Sequence, residues 1–170
     1  MSAKPCTEET VGVRGVEVRV LSAGEGDPLL VLHGAAGGGA WLPFHEALAT
    51  HFRVIAPVCP GFAGTARPDW ADTMEDYTLH HVDLMDALGL GAARVLGVSI
   101  GGWMAADLAS RYPERVAKLL LVGASGLHVG EAPIPDIFAL PIEQALPLFF
   151  EDLGAAMALI AYFILRSGLL

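Results

Sequence analysis

Cysteine is scarce in this chain: Cys6 and Cys59 are the only two among 170 residues. Two thiols so far apart supply neither a disulfide framework nor a metal-ligand cluster, so a cytoplasmic, reducing setting is expected, with no metal and no cofactor. Positive charge is also short. Ten Lys and Arg stand against 19 Asp and Glu, a formal net charge of −9, which leaves nothing to neutralise the phosphates of a nucleic acid. The N-terminus, Met1 to Glu9, lacks the apolar core of a signal peptide. The most apolar stretch, Leu153 to Leu165, runs about a dozen residues where a bilayer span needs about 20, so no membrane span is expected. Its apolar residues face every direction of a helix, which implies burial. That burial would be over the sheet or against a second copy, so a homo-oligomer formed through this helix is one expectation. No internal repeat and no low-complexity linker interrupts the chain.

What the chain does have is apolar mass: 54% hydrophobic and 17% charged residues, at a length that suits about one domain and buries about 70% of the unfolded surface. Val11 to Val13 and Val16 to Val20 alternate like a hairpin turning at Arg14-Gly15. Apolar runs then alternate with helical patterns. The strands are read at Leu29 to Leu32, Phe52 to Ala56, Val95 to Val98 and Val116 to Val122; the helices at Trp41 to Thr50, Tyr77 to Leu88 and Ile100 to Tyr112. This order predicts an α/β fold, a mainly parallel sheet with helices on both faces. After Val122 the character changes, with Pro133, Pro135, Pro141 and Pro147 punctuating the C-terminal segment.

The chemistry concentrates in two glycine-rich turns. Gly97-Val98-Ser99-Ile100-Gly101-Gly102 sets one serine between a strand run and a helical pattern. A nucleophilic serine on a sharp strand-to-helix turn needs small residues two before and two after it, and Gly97 and Gly101 meet that need. A serine is also a favoured helix N-cap, and that reading competes with the first. The second turn, His33-Gly34-Ala35-Ala36-Gly37-Gly38-Gly39-Ala40-Trp41, comes directly after the Leu29 to Leu32 run. Its small residues let backbone N–H groups approach an oxygen that becomes negative during acyl transfer. Ala35 would offer one N–H. Ile100, at the start of a helix, would offer the other. A phosphate cradle fits less well, because the loop lacks the lysine of a P-loop and does not read G-x-G-x-x-G.

Taken together, these residues resemble the α/β-hydrolase family. The likeness rests on His33-Gly34 after the third strand, Pro60-Gly61-Phe62 after Arg53 to Pro57, Asp86 to Leu90 before the elbow strand, the elbow itself, and Tyr112 to Val116 after the elbow helix. It covers about residues 10 to 126 and implies residues 1–126 as the N-terminal part of the hydrolase core. Residues 127–170 would begin a cap or lid ending in an apolar helix. The resemblance implies a serine hydrolase acting on a small-molecule ester, with Ser99 as nucleophile and Ala35 and Ile100 as the oxyanion hole. A dehalogenase is disfavoured, since those carry aspartate at the position of Ser99. The family's later acid and histidine are not matched here: His128 is the only histidine after Ser99, and the base would come from His128, from a partner chain or from a missing second fragment. A weakened enzyme and an inactive half-domain serving as a binding or assembly module are therefore both expectations.

The other histidines read as structural. The resemblance makes His33 an anchor of the oxyanion loop. His80 and His81 point about 100° apart on a helix and are expected at the surface or partly buried. His45 and His51 flank a helix end with no ligand partners at useful spacing.

Overall fold

The structure, a computed structural model, describes residues 5–127, 130, 135–137, 139–155 and 157–158. It divides into two units, Met1–Gly126 and Leu127–Leu170. In the first unit, β1 (Thr7–Val13) and β2 (Val16–Ala23) form the antiparallel hairpin, and β1 starts four residues earlier than the alternation suggests. Next in the chain are β3 (Pro28–Leu32), α1 (Pro43–Ala49), β4 (Arg53–Pro57), α2 (Met74–Ala87), β5 (Ala93–Val98), α3 (Ile100–Arg111) and β6 (Val116–Val122). The sheet order is β1-β2-β4-β3-β5-β6. β2 runs antiparallel to β4, and β4, β3, β5 and β6 are parallel. The second unit contains α4 (Ile142–Phe149), with Pro147 inside it.

Successive strand residues point to opposite faces, and the core divides accordingly. Leu30, Leu32, Ile55 and Val95 pack with Leu84 and Met85 of α2 and with Met104 and Leu108 of α3. Leu29, Val31, Val54 and Leu96 face the other way and pack with Ala49 of α1. Helices thus lie on both faces of a mainly parallel sheet, as the apolar runs require.

Two helix starts differ from the sequence pattern for local reasons. α1 begins at Pro43 rather than Trp41, because proline's fixed φ and missing N–H suit the first helical position. α2 begins at Met74, three residues early: Thr73 Oγ1 accepts the Asp76 N–H, and Asp76 accepts the Thr73 N–H at 2.8 Å.

The strand order also locates a crevice. After β3 the chain passes to α1 on one face and returns as β4; after β5 it passes to α3 on the opposite face and returns as β6 on the other side. The carboxyl ends of β3 and β5 therefore diverge, and open α/β sheets hold ligands at such a switch point.

Candidate active site

Both glycine-rich turns meet at this crevice. Ser99 leaves β5 with φ 54° and ψ −119°, outside the regions that L-residues favour. Hydrogen bonds hold it there. Its N–H donates to Val122 O of β6 at 3.0 Å, and its carbonyl accepts from Gly102 N–H at 2.9 Å and Ser125 N–H at 3.1 Å. Its hydroxyl makes no capping hydrogen bond, although Ser99 stands at the N-cap position of α3. A Cβ at Gly97 would run into Gly101 O and Gly102 Cα, and one at Gly101 would run into the Leu32 and His33 carbonyls. The two glycines are what let β3, β5 and α3 converge on the serine.

The β3 turn lies against it. A Cβ on Gly34 would stand 3.3 Å from Ser99 Cβ. Gly37 N–H donates to Gly34 O at 3.0 Å, closing a turn around Ala35 and Ala36. The N–H groups of Ala35 and Ile100 meet no protein acceptor among the described residues. One such donor thus belongs to the turn that lies against Ser99, and the other to the residue that follows it at the start of α3.

His33 fixes the start of this loop. Its Nδ1–H donates to Gly34 O at 2.8 Å, so Nε2 carries the lone pair that accepts Cys59 N–H at 2.9 Å. Burial lowers its pKa, and the Gly34 bond opposes that shift in part. With both ring nitrogens occupied, His33 has none left to serve as a base for Ser99.

Three of the remaining histidines, His80, His81 and His45, are more deeply buried than the sequence pattern suggests. His80 and His81 are buried, because α2 turns that side onto the sheet and onto Trp70. His81 Nδ1–H donates to Tyr77 O at 2.6 Å, whereas neither nitrogen of His80 finds a hydrogen-bond partner among the described residues. Burial pushes their pKa values down, to about 3 for His81 and about 4 for His80. His45 is buried too, in the first turn of α1, with Nδ1 accepting Leu42 N–H at 2.9 Å. Sequence reasoning missed that contact, although proline at the first helical position and a polar side chain two residues later were a signal for it. His128 lies outside the described residues, as does most of the apolar run from Leu153 to Leu165. Asp107, the first acid after the elbow, accepts from Thr78 Oγ1 at 2.8 Å and from Arg111. Among the described residues no group of three or more His, Cys, Asp and Glu could hold a metal ion, and no helix is long and apolar enough to cross a membrane.

A strained serine at a β-to-α turn, glycine-walled and set at the switch point of such a sheet, defines the class, and a family model described as the alpha/beta hydrolase fold matches residues 27–156. The chain belongs to the α/β-hydrolase family. Among its relatives is the 2-hydroxy-6-oxo-6-(2'-aminophenyl)hexa-2,4-dienoic acid hydrolase of Metapseudomonas resinovorans, 36% identical over 72% of this chain and 44% of that protein. Another is the 2-hydroxymuconate semialdehyde hydrolase of Pseudomonas sp. strain CF600, 37% identical over 66% of this chain and 42% of that protein. A mutant meta-cleavage product hydrolase from Pseudomonas fluorescens IP01, solved with acetates, superposes with a TM-score of 0.71 at 28% identity, covering 94% of this chain and 62% of that one. The chain spans less than half the length of these two curated relatives.

Proposed function

We propose that this chain carries the nucleophile half of a serine hydrolase for small esters, with Ser99 attacking the carbonyl and the Ala35 and Ile100 N–H groups receiving the oxyanion. The observation that carries the reading is the backbone of Ser99, held at φ 54° with the glycine-rich β3 turn against its Cβ. Ser99 Oγ bonds to the acyl carbon as its proton passes to a base. The tetrahedral intermediate then expels the alcohol, and water releases the acid from the acyl-serine. No described histidine is bonded to Ser99; the base would come from His128, which lies outside the described residues, from a partner chain or from a second fragment, and where none is supplied hydroxide takes its part. Slow turnover of activated esters is the consequence, rising with pH. Oxyanion stabilisation and binding alone leave about a 10³–10⁴-fold advantage over water.

A second reading has its own support. Several relatives are named as hydrolases of oxo-dienoic acids, so carbon–carbon cleavage of a dienoate ketone by the same crevice is the alternative substrate class. Labelling by a fluorophosphonate probe, with p-nitrophenyl acetate and a 2-hydroxy-6-oxo-dienoate assayed on the same sample, separates them. Labelling at Ser99 with ester turnover supports the first reading, and turnover of the dienoate alone supports the second. Neither labelling nor turnover would leave the chain as a binding module.

A further inference from the structure

We propose that His45 is a positioning residue for the oxyanion loop, holding the loop's second end as His33 holds its first. This rests on the reading of residues 33–42 as that loop. The chain enters α1 through Pro43, and the preceding Leu42 N–H is one of the donors that a helix start leaves without an intrahelical partner. His45 Nδ1 reaches back one turn and accepts it at 2.9 Å.

The ring that does this is enclosed. His45 is 2% exposed, with Trp41 stacked on it at 5.0 Å between centroids and Phe44 at 3.9 Å. Trp41 is itself held, its Nε1–H donating to Glu46 Oε2 at 2.9 Å. Accepting at Nδ1 requires a neutral ring with its proton on Nε2, and Nε2 is buried with no hydrogen-bond partner among the described residues. The position therefore carries an unpaired donor, an unfavourable feature that a leucine would not have. The acceptor on the other nitrogen is what the imidazole contributes in return.

The titratable group that bears on the ring is His33 from the loop's first end, while Glu46 holds the Trp41 stacked on it. Burial, and His33 secondarily, depress the pKa of His45 to about 4, so the accepting form prevails at neutral pH. With Leu42 and Gly34 both pinned, the Gly34–Gly37 turn closed and Gly38 packed against the His33 ring, Ala35 is held between two fixed ends. A donor that does not reorganise as charge develops is what an oxyanion hole requires.

The test compares His45→Leu with His45→Gln at pH 7. Glutamine at the third helical position can accept the same N–H without titrating, as it does in a capping box. The leucine variant should lose about tenfold or more in kcat on p-nitrophenyl acetate with KM little changed. Amide exchange across residues 34–42 should quicken in parallel, and glutamine should restore both. Wild-type behaviour in the leucine variant, or failure of glutamine to rescue, would overturn the proposal. Should the wild type show neither turnover nor probe labelling, the functional reading fails and loop exchange alone decides whether His45 holds the loop. If the leucine variant does not fold, the tautomer of His45 in long-range ¹H–¹⁵N spectra of the wild type decides instead, since a proton on Nδ1 removes the acceptor.

Discussion

Ser99 sits in a conformation that costs an L-residue about 1–3 kcal/mol, and its neighbours keep it there through both its N–H and its carbonyl. Two substitutions separate the chemistry from the strain. Ser99→Ala removes the hydroxyl and keeps the Cβ, so fluorophosphonate labelling should vanish while the melting temperature stays close to wild type. Ser99→Gly also removes the strain, because glycine adopts positive φ without a steric penalty; its larger loss of chain entropy, about 0.5–1 kcal/mol, offsets part of the gain. The glycine variant should be the more stable of the two by about 1 kcal/mol, read as a higher midpoint in urea unfolding. Equal midpoints would mean that the turn stores no strain. Retained labelling in the alanine variant would remove Ser99 from the site. The location of this residue was legible in the sequence, because glycines on both sides of a lone serine are a local signal. His45 was not. Its role depends on where Pro43 starts α1, on burial under Trp41 and on one backbone N–H, and none of these shows in a spacing pattern.

Each element around the site is placed by a close approach. α3 can start at the end of β5 only because Gly97 lets the Gly101 carbonyl and Gly102 come near, and because Gly101 touches the carbonyls ending β3. Gly97→Val puts a β-branched side chain where backbone already stands. The expected result is loss of several kcal/mol of stability and of activity together, in the range of overpacked or strained core substitutions. An unchanged thermal melt would show that β5 and α3 do not meet as described. Apolar runs identified the strands and helices because burial on one face or two leaves a period in the sequence. Boundaries were less legible: β1 reaches back to Thr7 through polar residues that pair with β2 without being buried, and α2 starts early on the Thr73–Asp76 cap. His80 and His81 were misread for a related reason. The angle between them on a helix is fixed, but whether both point inward depends on Trp70, the β1–β2 turn and the sheet, all remote in sequence.

Considered whole, the first unit combines a sheet well covered at its centre with an open flank at β6, where Leu120 is 56% exposed, and with imidazoles enclosed in its interior. The α/β class was legible because alternating elements constrain the entire chain; the buried histidines were not, since burial is a property of the assembled layers. They give the molecule a specific response to acid. His45, His80 and His81 are neutral in the folded state, with pKa values of about 4, about 4 and about 3, each set chiefly by burial. In the unfolded chain each binds a proton near pH 6.5. Between about pH 6.5 and 4 the unfolded state thus holds more protons than the native state, so stability must rise with pH across that window. The contribution is complete above about pH 6.5 and is lost as the pH falls toward 4. Near pH 5 each histidine adds about 1.4 kcal/mol per pH unit to the slope of stability against pH. Urea unfolding between pH 7.5 and 4.5 should show that steepening. His80→Leu, which removes two unpartnered buried nitrogens along with one titrating group, should be at least as stable as wild type at pH 5 and should flatten the slope by one proton's worth. A slope unchanged by that substitution would mean that His80 titrates in the folded protein as it does in the unfolded chain.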